Sequence, residues 1–260
     1  MSPGYIELQN GGNPVSVRED RLPRLAEVDV VVFDCDGALL DVRESYSRAV
    51  AWTASTLVEA FTGDKLPEAL FDERLNFAYK RTGGLNNDWD LTYALVMKIL
   101  ASSPGAAEVD GLAKRSLDID DMSRRLRFIE ENQVDTVMPL DGLYDDLISF
   151  AAKLDESGVE SVDSQLTPPL RGVKQALSHP GVVGESMVST MFEEAFSGTA
   201  LFEEAFDLPA RFTVAQTGFV ENERIVVTDE TLDQLVEIIG GDRFGIASGS
   251  PANTARYALG

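Results

Sequence analysis

Two carboxylates one residue apart, Asp34 and Asp36, end the apolar stretch VVFDCDGALLD at residues 31–41, and Gly37 turns the chain directly after them. In a continuing strand such an i, i+2 pair projects to one side; with a turn at Gly37, both carboxyl groups can surround one small polar site. An ionised Asp34 beside Mg2+ has the chemistry of a nucleophile toward phosphorus, forming an aspartyl-phosphate. Asp36, partly desolvated near another carboxylate, would hold its proton more tightly and could protonate a leaving alcohol. Cys35, between the two, reads as a small buried filler.

A second turn offers a partner. In FGIASGSP a short strand runs into Ser248-Gly249, whose hydroxyl and backbone N–H could hold a phosphoryl oxygen. Taken alone, Ser248 is an ordinary turn or capping serine, and Asp-rich turns with glycine recur everywhere. The combination carries the signal: a strand before each turn, and ALLD after the first.

The elements that must position these turns follow from periodicity. Residues 28–33, VDVVVF, are a continuous β-branched run suited to a central strand covered on both faces. Helices are expected over 43–61, about 66–82, 109–132 and 140–156, with Asn87 or Asp88 capping a further helix after the break at Gly83-Gly84. Residues 1–27 read as a polar, irregular arm, and the Ser/Gly/Pro-rich stretch near 157–190 as a loop or poorly ordered insertion. The near-repeat MFEEAFSG (191–198) and LFEEAFDL (201–208) has too few copies for a solenoid and reads as amphipathic helix. RIVV at 224–227 suits a short strand. Thr228 or Asp229 would cap a helix that ends at Gly240-Gly241, and Ser250-Pro251 would open the last one. Strand, turn and helix at each end, with helices between, predict an α/β fold: a core at 28–42 and 224–260, interrupted by a helical insertion at 43–223.

Composition narrows the chemistry. With 44 acidic and 22 basic residues, of which six are lysine, the formal net charge is −22. Such a chain suits either a salt-rich cytoplasm, where self-repulsion is screened, or a merely acidic protein of an ordinary cell. Its field disfavours nucleic acid and anionic membranes as partners. One cysteine and one histidine exclude an internal disulfide and a Cys/His zinc cluster built from this chain. His179, in LSHPG, reads as a surface loop residue, so catalysis should rest on carboxylates and a metal. The polar N-terminus and the lack of a long apolar run predict a cytoplasmic protein.

Together, VVFDCDGALLD and FGIASGSP resemble the first and second motifs of the haloacid dehalogenase-like superfamily of phosphohydrolases. The resemblance implies a Rossmann-like parallel core with Asp34 as nucleophile and Mg2+ ligand. It makes Asp36 the general acid/base, with its main-chain carbonyl on the metal, and Ser248 the phosphate binder. An acid at position 36 favours phosphate-ester chemistry over carbon–halogen cleavage. The helical insertion is similar to the cap of subfamily I members, and TGGLNNDWDLT at 82–92 resembles a cap segment of an archaeal subfamily of undefined substrate. Lys80, Arg81, Asn86 and Asn87 flank Gly83-Gly84; substrate contact and a solvated helix end both remain open for them. Arg48 and Trp52 read as packing residues.

The resemblance covers two of four motifs. The family's later lysine and acidic pair have no counterpart: Lys174 is the last lysine, no Asp or Glu follows Asp242, and the chain ends twelve residues after Ser248. The core is therefore expected to be incomplete, with an exposed sheet edge and little activity. Two functions follow: a Mg2+-dependent phosphohydrolase acting on a small phosphorylated metabolite, or a non-catalytic fragment that binds a partner chain completing its sheet. A phosphoacceptor receiver module fits poorly, because the insertion between Asp34 and Ser248 is long.

Overall fold

The computed structural model describes residues 4–10, 13–249 and 252–259. They form a mixed α/β fold, 57% helical, whose strands are short and lie in small sheets. Contacts divide the chain into two compact units, residues 1–40 with 225–249 and residues 41–224 with 250–260.

The first unit holds two sheets. Strands β1 (Tyr5–Asn10) and β2 (Asn13–Arg18) pair antiparallel, Tyr5 opposite Arg18, and a 3-10 helix follows at Glu19–Glu27. The expected irregular arm is thus a hairpin. Its alternation is carried by single apolar residues such as Ile6, Leu8, Val15 and Val17 among polar ones, a two-residue period too sparse to stand out against the composition. Strand β3 (Val31–Asp34) pairs parallel with β6 (Phe244–Ala247), Val31 opposite Phe244 and Asp34 opposite Ala247. Phe33 and Phe244 stack on one face, their centroids 6.2 Å apart. The other face is bare: Val30 is 59% exposed and Val32 62%. A central strand covered on both faces is therefore not what the described residues form, since β3 has β6 as its neighbour and no layer over Val30 and Val32. Helix α10 (Asp229–Ile239) is capped as expected, Thr228 Oγ1 accepting from the Thr231 N–H at 3.2 Å, yet it buries none of its residues.

The chain leaves this unit through β4 (Leu40–Asp41) and returns through β5 (Arg224–Ile225). Between them lies a helical core. Helix α1 (Tyr46–Thr62) packs against α3 (Asp88–Ser102), α5 (Met122–Glu131) and α9 (Met187–Phe206); α2 (Glu73–Lys80) packs on α6 (Leu143–Ala151), and α4 (Ala106–Arg115) on α8 (Arg171–Leu177). The remaining helices are α7 (Val159–Gln165) and α11 (Ala252–Leu259), the latter against α9. Helix α1 stops at Gly63, which takes φ 75° and donates its N–H to the Glu59 carbonyl at 2.7 Å. Helix α3 starts at Asn87, whose Oδ1 accepts from the Trp89 N–H at 2.8 Å, and Asp88 and Asp90 sit where the helix dipole favours anions.

The stretch near 157–190 is ordered, contrary to the composition-based expectation. Val159, Val162, Leu166, Leu170, Val173 and Leu177 recur at three- and four-residue spacing and are buried, while Pro168, Pro169 and Pro180 fall between helices, where no ladder hydrogen bond is lost. The MFEEAF near-repeat forms the two helical segments of α9, separated at Gly198, whose φ of 74° and ψ of 166° are not helical. The returning chain passes so close that a Cβ on Gly198 would meet the Gly218 nitrogen at 2.5 Å. Ser250 and Pro251, expected to open the last helix, lie outside the described residues.

Glu194 secures that return. Fully buried on α9, it accepts from the N–H groups of Arg211 (2.8 Å), Phe212 (2.7 Å) and Thr213 (2.9 Å). Hydrogen bonds to a charged acceptor are stronger than neutral ones. Glu194→Gln turns an NH2 toward donors and should cost about 2–4 kcal/mol in urea unfolding, with the loss of protection concentrated in hydrogen exchange at 207–218; unchanged stability would rule out this anchoring role.

Candidate functional site

The register of β3 and β6 decides which residues share one end of the sheet. In a parallel pair both strands finish at the same edge. Asp34 is the last residue of β3 and lies opposite Ala247, the last of β6, so Ser248 and Gly249 leave the sheet at the edge where Cys35 and Asp36 leave it. All four sequence-predicted residues of the turn site, Asp34, Asp36, Ser248 and Gly249, thus belong to one edge of one unit.

A compact loop sets the carboxylates. The Cys35 carbonyl accepts from the N–H groups of Leu39 (2.9 Å) and Leu40 (3.0 Å), while the Gly37 N–H donates to the Leu40 carbonyl at 2.8 Å. The Leu39 carbonyl in turn accepts from the Val226 N–H at 2.8 Å, tying the loop to the chain returning after β5. Gly37 takes φ 79°, a left-handed conformation that favours glycine, with open space where a Cβ would be. Cys35, Leu39 and Leu40 are buried beneath the loop; Asp34 and Ser248 are exposed and Asp36 half-buried. The loop therefore turns its apolar residues inward and leaves its oxygen-bearing groups near water, an arrangement open to a polar ligand.

The donors at this edge are hard oxygens, the Asp34 carboxylate and the Asp36 carboxylate and carbonyl, which suit Mg2+ better than a soft metal. Among the described residues, no set of three His, Cys, Asp or Glu side chains is placed to hold a metal ion. Asp41, the last acid of the stretch, is bound by Arg43, whose guanidinium donates at 2.8 and 2.5 Å and holds the carboxyl at about 2. Asp34 and Asp36 are the two residues that would hold Mg2+ here, and an ion so held would keep several waters and share a substrate phosphate.

In the second unit the predicted cap residues have structural partners. Lys80 pairs with Asp88 at 2.9 Å, Asn87 caps α3, and the Arg81 guanidinium lies 5.5 Å from the Phe77 ring centroid. Arg48 lies over the Phe219 ring at 5.2 Å, and Trp52 packs against the core. His179 is not the expected surface residue. It is 3% exposed, stacked on Tyr93 at 4.8 Å, with Nε2 2.8 Å from Asp90 and Nδ1 3.2 Å from the Ser186 hydroxyl. Asp90 and Tyr93 stand one turn apart on α3, and that pairing across 89 residues left no local trace in LSHPG.

A strongly perturbed carboxyl of the second unit also went unsignalled. Glu193 is buried on α9 and accepts from the Trp89 indole N–H at 2.9 Å. Burial, reinforced by the Asp88 charge and opposed by the indole bond, pushes its carboxyl up to about 7. The one sequence cue was a Glu-Glu pair within an otherwise apolar helical face.

No protein-family profile matches the chain, and no curated protein matches it. Among solved structures, it is similar to an X-ray structure of a Northeast Structural Genomics Consortium target, with a TM-score of 0.60 and 18% sequence identity; the likeness covers 89% of this chain and 66% of that one. The chain thus spans just under two thirds of that protein's length. At this identity the likeness bears on fold alone.

Glu193 makes stability depend on pH. Its folded-state value lies above the ordinary 4.5, so its contribution is full below about 4.5 and is lost as pH rises through about 7. Glu193→Gln keeps an acceptor for the indole. It should therefore be the more stable protein at pH 8 by about 1–3 kcal/mol and about equal at low pH, as read by denaturant titrations across that range.

Proposed function

We propose that the chain is a Mg2+-dependent phosphohydrolase of the haloacid dehalogenase-like type, with a Rossmann-like core and a helical cap, acting on a small phosphorylated metabolite. The observation that carries this reading is the parallel register that brings Asp34 and the Ser248-Gly249 turn to one edge of the β3–β6 sheet. A carboxylate nucleophile and a phosphate-binding turn need that adjacency, and the intervening residues could not supply it locally.

In this mechanism an Asp34 carboxylate oxygen attacks phosphorus while the P–O bond to the alcohol breaks, and Asp36 delivers a proton to the leaving oxygen. Water then attacks the aspartyl-phosphate, giving up its proton to Asp36, and inorganic phosphate leaves as Asp34 is restored. The Ser248 hydroxyl and the Gly249 N–H hold phosphoryl oxygens through both steps. Mg2+, when bound by the Asp34 carboxylate and the Asp36 carbonyl, would supply charge neutralisation at those oxygens. With few protein donors for the ion, turnover by residues 1–260 is expected to be slow. Lys80, Arg81 and Asn87 are candidates to select the substrate, although the partners of Lys80 and Asn87 already account for them structurally. The net charge of −22 supports a cytoplasmic, salt-tolerant protein that avoids nucleic acid and anionic membranes; among the described residues no helix is long and apolar enough to cross a membrane.

The exposed apolar face of β3, with Val30 and Val32, favours a second reading: a non-catalytic protein whose sheet is extended and covered by a partner chain.

The two readings separate on p-nitrophenyl phosphate with and without Mg2+, combined with trapping of beryllofluoride. Slow Mg2+-dependent hydrolysis, reduced at least about 100-fold in Asp34→Asn and reduced also in Asp36→Asn, is the expected result for the enzyme. Hydrolysis that survives Asp34→Asn sinks the mechanism, and the absence of both turnover and trapping leaves the partner-binding role.

A further inference from the structure

Helix α8 carries Arg171 and Lys174 one turn apart, and beside them, within the second unit, lies a recess of about 360 Å3 completed by Gln175, Ser178 and His179. None of the five lining residues is acidic, in a chain with twice as many acids as bases. Four of them carry donor groups: a guanidinium, an ammonium, an amide and a hydroxyl, the last donating to the Gln175 carbonyl at 3.4 Å.

These groups are held in place. Lys174 is bonded to Asp163, whose other oxygen accepts from the Tyr93 hydroxyl at 2.6 Å. Ser178 takes a left-handed backbone, φ 53°, a conformation that non-glycine residues adopt rarely and that surrounding structure must hold. Its hydroxyl accepts from Arg125 Nη1 at 3.2 Å, and the same nitrogen donates to the Ala176 carbonyl at 2.9 Å. A buried guanidinium therefore covers the α8 carbonyl end, which would otherwise repel an anion. Both nitrogens of His179 are engaged with Asp90 and Ser186, so the ring serves as a wall. A second recess, of about 460 Å3, shares Arg171 and Lys174 but has an apolar floor that includes Met97, Leu166 and Leu170, with Glu160 and Asp163 on its wall. Both volumes fall in the range of small-molecule sites.

We propose that the recess walled by Arg171, Lys174, Gln175 and Ser178 binds the oxyanion group, carboxylate or phosphate, of a small molecule whose apolar part occupies the neighbouring recess. Arg171 supplies the two-pronged contact and Lys174 the point charge. The site shares no residue with the Asp34–Asp36 turn, so it stands whether or not that turn is catalytic.

Backbone amide NMR of the full chain, titrated with inorganic phosphate or with benzoate at ionic strength held constant by NaCl, tests this directly. Saturable shifts clustered at 171–179 are expected; a stronger response to phosphate identifies a phosphate ester as ligand, and a stronger response to benzoate an organic acid. Arg171→Gln removes an exposed side chain that has no ion-pair partner among the described residues, so the fold should persist while the dissociation constant rises about tenfold or more. Lys174→Arg, which can still reach Asp163, should retain binding. Shifts that do not saturate, that NaCl alone reproduces, that fall only at 34–37 and 248–249, or that survive Arg171→Gln unchanged would overturn the proposal.

Discussion

Parallel pairing of β3 with β6 is the constraint on which the candidate site depends. Two parallel strands cannot be joined by a tight turn; the chain must travel from the end of one back to the start of the other. Here that crossover comprises residues 35–243 and contains nearly all of the helical unit. The register then settles the chemistry at the edge. With Asp34 opposite Ala247, a carboxylate and a Ser-Gly turn more than two hundred residues apart leave the sheet together. A slip of one residue would send Asp34 to the other face and break that grouping.

The two units meet the hydrophobic requirement differently. The helical unit buries long apolar faces of α1, α3 and α9, including Leu57, Phe61, Leu95 and Phe192, and holds the Glu194 carboxylate inside on three backbone N–H groups. The strand unit has little such core. Its buried apolar residues include Cys35, Leu39 and Leu40 under the carboxylate loop, while Val30, Val32 and Ile246 stand exposed and α10 buries nothing. Parallel strands are ordinarily covered on both faces; among the described residues nothing forms such a layer over Val30 and Val32.

Charge shows a similar division between what a residue type suggests and what its neighbours make of it. Five of the six lysines pair with a carboxylate: Lys65 with Glu59, Lys80 with Asp88, Lys98 with Asp146, Lys114 with Asp110 and Lys174 with Asp163. A basic residue in so acidic a chain is thus first a partner for a nearby carboxylate, and the other groups around it differ from one lysine to the next. Around Lys80 there is Asp88 on the next helix; around Lys174 there are Arg171, Gln175, Ser178 and a recess.

Local patterns were legible wherever one segment determined its own structure. The sequence by itself determined α1, a cap at Asn87 or Asp88 and another at Thr228 or Asp229, the strand before Asp34 and the turn at Gly37, because periodicity, capping oxygens and left-handed glycine act within a few residues. It also determined the sparse hairpin and the helices of 157–190, but composition masked a periodicity that burial makes plain. Tertiary structure alone decided the rest: that β3 has no covering layer over Val30 and Val32 among the described residues, that His179 is buried on Asp90, that Glu193 sits in an apolar wall with one indole N–H, and that Ser178 closes a cationic recess. Each depends on which distant groups meet a residue, and burial and hydrogen bonding act across space regardless of separation along the chain.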